Sequence, residues 1–228
     1  MSVAISVRDE AARLPWAVRS VLAQTLPAWE LLLADDGSTD GTLEAAAPWT
    51  ADPRIRCVRH TASAGKAARL RELLPACRGR YLLELDADDW LAPQALAVLV
   101  SAMERCPGAG MAGGRFHVWF EPKRGELQYR GEQQAVFRAS ADSASPLIPR
   151  MYRTALLREC GGWPVLPAHW DRLFEDIAVC SRILSRFPAA AVVQAVYHRR
   201  VHADSISQMN HTQYREWFRV WKGQGTGE

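Results

Sequence analysis

The sequence predicts an α/β fold in which helices cover both faces of a doubly wound, mostly parallel sheet. Strand and helix patterns alternate through the first 110 residues, the order of a chain that crosses over between parallel strands. Two acidic turns follow directly on buried apolar runs, and an open α/β sheet binds its ligands at such strand ends. The 228 residues, 48% of them hydrophobic, are enough to build a full core.

The first half contains four strand patterns and four helix patterns in strict alternation. The predicted strands are residues 3–7, 29–34, 55–59 and 81–85. The predicted helices are one at residues 14–22, one at 39–47, one at 65–74 and one that Pro93 opens in its first turn. We expect Ser38 or Thr39 to be the N-cap of the second helix, because hydroxyl side chains accept from free N–H groups there.

The second half, residues 111–207, predicts a smaller region of the same domain, because no linker interrupts the chain. Its predicted strands are residues 111–120, 128–138 and 189–198, its predicted helix is 173–184, and the Ser- and Pro-rich residues 142–149 are predicted to form a loop. Residues 208–228 are expected to form an amphipathic helix at 212–221 followed by a flexible tail.

Composition and charge exclude several classes of protein. A net charge of +3 is too small to indicate nucleic acid as a partner. The five cysteines contain no C-x-x-C pair, which argues against a zinc site or a disulfide framework and indicates a reducing compartment. The N-terminal residues lack the pattern of a signal peptide, and no window approaches a transmembrane span. We therefore expect a cytoplasmic protein.

The turn Asp86-Ala87-Asp88-Asp89 follows the apolar run at residues 81–85. Three crowded carboxylates repel one another unless a cation lies among them, and oxygen ligands suit Mg²⁺ or Mn²⁺. A hard ion held by one or two carboxylates usually has a phosphate on its open side. The alternative is a solvated turn that caps the next helix.

Four further groups of polar residues have a chemical interpretation and a structural one. The second predicted strand ends at Asp35-Asp36-Gly37-Ser38, whose carboxylates suit the N–H groups of a base or the hydroxyls of a ribose, or else cap a helix. Lys66 and Arg69 could reach a nucleotide from the opposite side, or lie on a solvated helical face. Glu175-Asp176 could supply a general base, or complement the dipole of the helix they open. The loop after the last strand, residues 197–207, could bind a diphosphate or a metal, or its histidines could be structural.

Together these segments resemble glycosyltransferase family 2, whose members have the GT-A nucleotide-sugar fold. The motifs that carry the resemblance are the strand at 3–7, Ser20-Val21-Leu22-Ala23-Gln24-Thr25, Asp35-Asp36-Gly37-Ser38-Thr39-Asp40-Gly41-Thr42, Leu85-Asp86-Ala87-Asp88-Asp89, Glu175-Asp176 and Arg200-x-His202-x-x-Ser205-Ile206-Ser207. Each motif is weak alone, whereas their order and spacing are specific.

The resemblance implies an inverting, metal-dependent enzyme that moves a sugar from a nucleoside-diphosphate sugar, such as a UDP-sugar, to an acceptor hydroxyl. It implies a nucleotide-sugar-binding half at residues 1–110 and an acceptor-binding, catalytic-base half at 111–207. Asp88 of the DXD motif, together with His202, would hold Mn²⁺ or Mg²⁺, Asp176 beside Glu175 would be the catalytic base, and Arg200 and Ser205 would contact the diphosphate. The implied donor-nucleotide residues are Val7, Asp9, Asp36, Gly65, Lys66, Arg69, Asp86 and Ala87.

Two segments depart from the family pattern. Many members have Pro-x-Tyr-Asn-Glu after the first strand, where this chain has Ser6-Val7-Arg8-Asp9-Glu10. Many have Asn-x-Gly before the Arg-bearing helix, where this chain has Ser63-Ala64-Gly65. Both segments would lie beside the nucleotide, so base and sugar preference are left open.

The acceptor side carries less information in the sequence. Trp163, His169 and Trp170 could stack on a sugar, although tryptophan is equally a core residue. The predicted C-terminal helix carries an apolar stripe, made up of Tyr214, Trp217, Phe218 and Trp221. That helix could pack on its own domain, form a homodimer contact or lie on the inner face of the membrane.

Two other functions share some of these features. A sugar-phosphate nucleotidyltransferase should have a glycine-rich loop after its first strand, and residues 8–13 contain no glycine. A non-catalytic nucleotide-sugar or carbohydrate-binding module would need no base, yet Glu175-Asp176 is present.

Overall fold

A curved sheet of nine strands organises the described part of the chain, which comprises residues 1–135, 147–165, 174–203 and 205 of a computed structural model. The strands are β1 (Ser2–Val7), β2 (Glu30–Asp35), β3 (Ile55–Arg59), β4 (Tyr81–Glu84), β5 (Trp90–Leu91), β6 (Met111–Phe120), β7 (Gln128–Gln134), β8 (Arg150–Arg153) and β9 (Ala189–Val201). The helices are α1 (Leu14–Leu22), α2 (Thr42–Ala46), α3 (Lys66–Leu73), α4 (Ala95–Arg105), α5 (Thr154–Glu159) and α6 (Glu175–Leu184).

The strand order brings the two halves of the chain together in one sheet. The order is β3-β2-β1-β4-β8-β6-β9-β5, with β7 beside β6. The first four strands along the chain are parallel to one another, so the ends of β1, β2 and β4 lie at the same edge. Strand β8 then pairs antiparallel with β4, and this places Arg150 opposite Glu84.

Both faces of the sheet are buried, as a doubly wound fold requires. Along β2, Leu31 and Leu33 point into one apolar core and Leu32 and Ala34 into the other. Helices α1 and α4 cover the first core, whereas α3, α5 and α6 cover the second. The predicted α/β fold with helices on both faces is confirmed. Among the described residues, no helix has both the length and the apolar composition that crossing a membrane requires.

The structure corrects several predicted elements. Helix α2 begins at Thr42, and the predicted capping by Ser38 or Thr39 is wrong, because the Thr42 N–H donates to Asp40 Oδ1 at 3.0 Å while the Ser38 N–H donates to Asp35 at 3.1 Å. Strands β5 and β8 and helix α5 were not predicted. The predicted helix at 212–221, its apolar stripe and most of the predicted loop at 142–149 lie outside the described residues.

A group of rings lies where β5, β6, β7 and β9 meet. This aromatic face consists of Trp16, Trp90, His117, Trp119, Tyr129 and His198. Trp90 stacks on His198 with ring centroids 5.1 Å apart and planes 6° from parallel. Trp16 and Tyr129 remain 52% and 51% exposed. The face therefore packs internally and also presents ring surface to solvent.

Candidate active site

The acidic turn at the end of β4 is fixed by a contact with β9. Asp89 is 2% exposed, and its Oδ1 accepts a hydrogen bond from the Arg200 backbone N–H at 2.6 Å. Burial, together with the nearby charges of Asp88 and Asp86, raises the pKa of the Asp89 carboxyl. Asp89 therefore ties the turn to β9, and the side chain of Asp88 stays accessible, with 24% of its surface exposed.

Asp88 and His202 meet although 114 positions separate them. His202 Nε2 lies 3.2 Å from Asp88 Oδ2. The His202 backbone N–H donates to Ser205 Oγ at 2.9 Å, which closes the turn that carries the imidazole. The two side chains predicted as metal ligands are thus adjacent at the end of the sheet.

This donor pair suits a divalent ion that also binds substrate oxygens. A carboxylate is a ligand for Mg²⁺ and Mn²⁺ alike, and an imidazole shifts the preference away from Mg²⁺. Within the described ranges, no group of three or more His, Cys, Asp or Glu side chains is arranged to hold an ion. An ion bound by Asp88 and His202 would therefore take its other ligands from phosphate and water.

Beside this pair lies an ionic cluster made up of Lys66, Glu84, Asp86, Arg150, Glu175 and Asp176. Lys66 Nζ lies 2.9 Å from Glu84 Oε1 and 3.6 Å from Glu175 Oε1, and it also donates to Asp86. The cluster draws on α3, the end of β4, the start of β8 and the first turn of α6. It therefore connects the two predicted halves of the chain.

Arg150 is the member of the ionic cluster that the sequence analysis missed. Its Nη2 lies 2.9 Å from both carboxylate oxygens of Asp86 and 3.0 Å from Glu84 Oε1. Its Nη1 donates to Asp176 Oδ2 at 3.1 Å. The side chain is 3% exposed, so the guanidinium is neutralised by these carboxylates rather than by water.

The carboxylates of the ionic cluster titrate in different ranges. Burial raises the pKa of Asp86, but the charges of Arg150 and Lys66 outweigh it and hold that pKa well below its usual value. Burial also raises the pKa of Glu175, to about 7; Lys66 opposes this rise, whereas Asp176 reinforces it. Asp86 therefore carries its charge at neutral pH, and Glu175 is partly protonated there.

Asp176 is more accessible than its neighbour in the predicted base pair. Its side chain is 25% exposed, compared with 8% for Glu175. The Ile177 N–H donates to Asp176 Oδ1 at 2.8 Å in the first turn of α6, so each oxygen of this carboxylate has one fixed donor. Of the pair, Asp176 is the carboxylate that a substrate can approach.

Asp36 shapes the loop before α3. Its carboxylate accepts from Ser63 Oγ at 2.5 Å, from the Ala64 and Gly65 N–H groups at 2.7 and 3.0 Å, and from Arg69 Nε at 2.7 Å. Burial raises the pKa of Asp36, but these hydrogen bonds outweigh it and lower the pKa overall. Both oxygens of Asp36 are thus engaged within the protein, and its contact with a nucleotide base stays a prediction.

The remaining predicted donor residues lie along the same edge. The Val7 carbonyl accepts from the Asp36 N–H at 2.8 Å, and Ala87 is 6% exposed. Asp9 has a φ of +52°, and its carboxylate accepts from the Thr39 N–H at 2.8 Å. Asp9 therefore links the loop after β1 to the loop after β2.

The structure places one predicted site residue differently from expectation and gives a second one partners within the protein. Trp163 is 1% exposed and donates from Nε1 to Glu84 at 3.3 Å, so it is a core residue, and the predicted stacking on an acceptor sugar is wrong for it. The Arg200 guanidinium donates to Glu121 at 2.9 Å and lies 5.4 and 5.2 Å from the Trp16 and Trp90 ring centroids. Its predicted contact with a diphosphate stays untested. The other predicted acceptor residues, His169 and Trp170, lie outside the described residues.

The sequence profile described as "Glycosyl transferase family 2" matches residues 2–159, more than half of the chain. The chain belongs to glycosyl transferase family 2. The resemblance drawn from the motifs is confirmed, and the match runs from β1 through α5, across the motifs at residues 3–7, 20–25, 35–42 and 85–89. The family match leaves the alternative function, that of a sugar-phosphate nucleotidyltransferase, without support.

Curated relatives match over part of their length. The chain is 33% identical over 107 residues to EpsE of Bacillus subtilis (strain 168), a protein named as a glycosyltransferase, and this match covers 46% of the chain and 38% of EpsE. It is 36% identical over 77 residues to the Escherichia coli protein named UDP-Glc:alpha-D-GlcNAc-diphosphoundecaprenol beta-1,3-glucosyltransferase WfgD, covering 33% of the chain and 30% of WfgD. The matches thus span well under half of these relatives.

Solved structures share the fold over nearly the whole chain. S. aureus TarS 1-349 in complex with UDP-GlcNAc has a TM-score of 0.68 at 18% identity, covering 96% of this chain and 65% of that one. Mannosyltransferase PcManGT from Pyrobaculum calidifontis in complex with GDP-Man and Mn²⁺ has a TM-score of 0.60 at 20% identity, covering 98% and 60%. At these identities the likeness establishes the fold alone, and the predicted GT-A architecture is confirmed.

Proposed function

We propose that this chain is an inverting glycosyltransferase that moves a sugar from a UDP-sugar to an acceptor hydroxyl with the help of a divalent metal ion. One observation carries the proposal. Asp86 and Asp176, from opposite halves of the chain, both accept hydrogen bonds from the Arg150 guanidinium. Asp88, two residues after Asp86 in the same turn, contacts His202. The candidate donor residue Asp86 and the candidate base Asp176 are therefore adjacent.

The residues have distinct roles in the proposed reaction. Asp176 accepts the proton of the acceptor hydroxyl through its carboxylate as the oxygen attacks the anomeric carbon. The bond from that carbon to the diphosphate breaks, and the nucleoside diphosphate leaves from the opposite side, which inverts the anomeric centre. Asp86 binds the ribose region in its ionised form. Held by Asp88 and His202, Mn²⁺ or Mg²⁺ would neutralise the charge of the departing diphosphate.

The relatives support this choice of donor. TarS is described in complex with UDP-GlcNAc, and WfgD is named for UDP-Glc. PcManGT is described with GDP-Man and Mn²⁺, so the nucleotide is a separate point to test. We also propose a cytoplasmic location, with an acceptor that is soluble or lies at the inner face of the membrane.

A thermal-shift panel of UDP-, GDP- and dTDP-sugars, each with Mn²⁺ and with EDTA, tests the donor site. A ligand that binds the native state raises the melting temperature by mass action. We expect a shift with UDP-sugars that needs the metal and that Asp88→Asn removes. Equal shifts with Mn²⁺ and EDTA would contradict the metal site.

Release of UDP tests the base. Asp176→Asn keeps the shape of the side chain and should leave the UDP-sugar shift intact while UDP release falls by at least about 100-fold. Asp52→Asn is the control, because Asp52 pairs with Arg54 in a surface turn away from the ionic cluster. Unchanged turnover in Asp176→Asn would remove the base assignment, and binding without turnover in the wild type would favour a non-catalytic binding module.

A further inference from the structure

The geometry points to Arg150 as a positioning residue that holds the carboxylate of Asp176 in a fixed orientation relative to Asp86. The inference rests on the glycosyl transfer proposed above, and it gives a role to a residue that the sequence motifs do not include. Arg150 is the first residue of β8, and this strand carries none of the motifs described above.

The guanidinium of Arg150 is itself rigidly held. Its backbone pairs with Glu84 in the antiparallel β4–β8 ladder, near the middle of the sheet. The side chain is 3% exposed, and its planar fork contacts Asp86 through Nη2 and Asp176 through Nη1. A planar group with donors on two nitrogens fixes two carboxylates relative to each other, which a point charge does not do.

This contact sets the direction in which Asp176 can accept a proton. Oδ2 of Asp176 is held by Arg150 at 3.1 Å, and Oδ1 is held by the Ile177 N–H at 2.8 Å. The carboxylate plane is therefore defined by one donor from β8 and one from α6. Because transfer depends steeply on the alignment of base and nucleophile, loss of one donor should slow the reaction even if the charge is kept.

Neutralisation of the buried carboxylates would be served by any cation at position 150 and does not by itself explain an arginine there. Lys66 already contacts Glu84, Asp86 and Glu175. The contact that Arg150 adds is the one with Asp176, across to the base. A role in positioning and a role in charge balance therefore predict different results for a lysine at this position.

The test compares Arg150→Lys and Arg150→Gln with the wild type. Arg153→Lys is the matched control, because Arg153 lies on the same strand and donates to backbone carbonyls and to Tyr81. For each protein we would measure the melting temperature, UDP binding with Mn²⁺ by calorimetry, and kcat and KM for UDP release from UDP-N-acetylglucosamine with water as the acceptor.

We expect Arg150→Lys to stay folded and to bind UDP within about threefold of the wild type, because the charge beside Asp86 is kept. Its kcat should fall by about 10- to 100-fold, with a much smaller change in KM. Arg150→Gln should lose at least as much kcat, and Arg153→Lys should retain it. This split between kcat and KM is the result that supports positioning.

Three results would overturn the inference. The first is a kcat for Arg150→Lys within about twofold of the wild type. The second is a loss of kcat in Arg153→Lys as large as that in Arg150→Lys. The third is loss of the fold in both Arg150 variants, which would assign the residue to structure alone. All three leave the proposed function standing as long as the wild type binds and releases UDP. Failure of the wild type to bind UDP, or to release it from any UDP-sugar of the thermal-shift panel, would instead contradict the proposed function itself.

Discussion

The ionic cluster and the aromatic face both join the first half of the chain to the second, but they do so by opposite means. In the ionic cluster, two cations hold four carboxylates at distances of 2.9 to 3.6 Å, apart from the shorter Lys66–Asp86 contact. In the aromatic face, the contacting rings lie 4.7 to 6.1 Å apart between centroids. The first region is held by ion pairs, and the second is held by ring contacts, with the Arg200 guanidinium against the rings of Trp16 and Trp90.

Burial shifts the pKa of one titratable group in each region, upward in the ionic cluster and downward in the aromatic face. Burial raises the pKa of Glu175 to about 7, and burial, reinforced by His117, lowers the pKa of His198 to about 4. Both shifts favour the neutral form. The ionic cluster thus pairs its two cations with carboxylates and keeps Glu175 partly neutral, whereas the aromatic face meets the guanidinium of Arg200 only through the faces of Trp16 and Trp90.

Removal of Lys66 should have the largest effect on stability. Lys66→Met leaves Glu84 and Asp86 with Arg150 alone and removes the ion pair of Glu175, and a broken buried pair costs about 3–5 kcal/mol. We expect a loss of that size in the free energy of unfolding, measured by urea denaturation at pH 7.5.

Lys123→Met is the matched control, because Lys123 is exposed in the loop between β6 and β7. It should change the free energy of unfolding by no more than about 0.5 kcal/mol. A loss of less than about 1 kcal/mol in Lys66→Met would show that the carboxylates are satisfied without Lys66. The ionic cluster would then owe little of its stability to ion pairing.

The motifs predicted which side chains come together better than they predicted the partners that hold those side chains in place. Asp88 and His202 were paired by motif alone, and the structure places them 3.2 Å apart across 114 positions. The first four strands also follow the prediction, because each buried strand carries its own apolar run. Local pattern was enough in these cases.

Arg150 escaped prediction because its position depends on a pairing that no local pattern encodes. Strand β8 has four residues, Arg-Met-Tyr-Arg, without a clear alternation, and it pairs with β4 residues that lie 66 to 72 positions earlier in the chain. A signal was nevertheless present in Glu84, a carboxylate inside the apolar run at 81–85. A fully buried carboxylate requires a cation, so Glu84 indicated that one was still to be found.

Glu175 should make the stability of the protein depend on pH. Its folded pKa of about 7 lies above its ordinary value of 4.5, so the folded state binds the proton more tightly. The stabilisation is complete below pH 4.5 and is lost as the pH rises through 7. Relative to Glu175→Gln, which does not titrate, the wild type should lose about 2–3 kcal/mol between pH 4.5 and pH 8.

Melting temperatures of both proteins across this range would measure the difference. Glu159→Gln is the control, because Glu159 pairs with Arg186 on the surface. A constant difference between wild type and Glu175→Gln would mean that Glu175 titrates alike in the folded and unfolded states, so that burial does not raise its pKa. The charge of Glu175 would then be tolerated within the ionic cluster at neutral pH.

His198 should give a smaller effect of opposite sign. Its folded pKa of about 4 lies below its ordinary value of 6.5, so the unfolded state binds the proton more tightly. Stability is complete above pH 6.5 and is lost as the pH falls toward 4. Because the ring is only partly buried, we expect the wild type to lose about 1–2 kcal/mol relative to His198→Gln over this range, less than the full shift implies. Urea unfolding at pH 7 and at pH 4.5 would measure this loss of stability.

A wild type that gains stability on acidification relative to the variant would show that the aromatic face accepts an imidazolium, through the ring faces of Trp90 and Trp119.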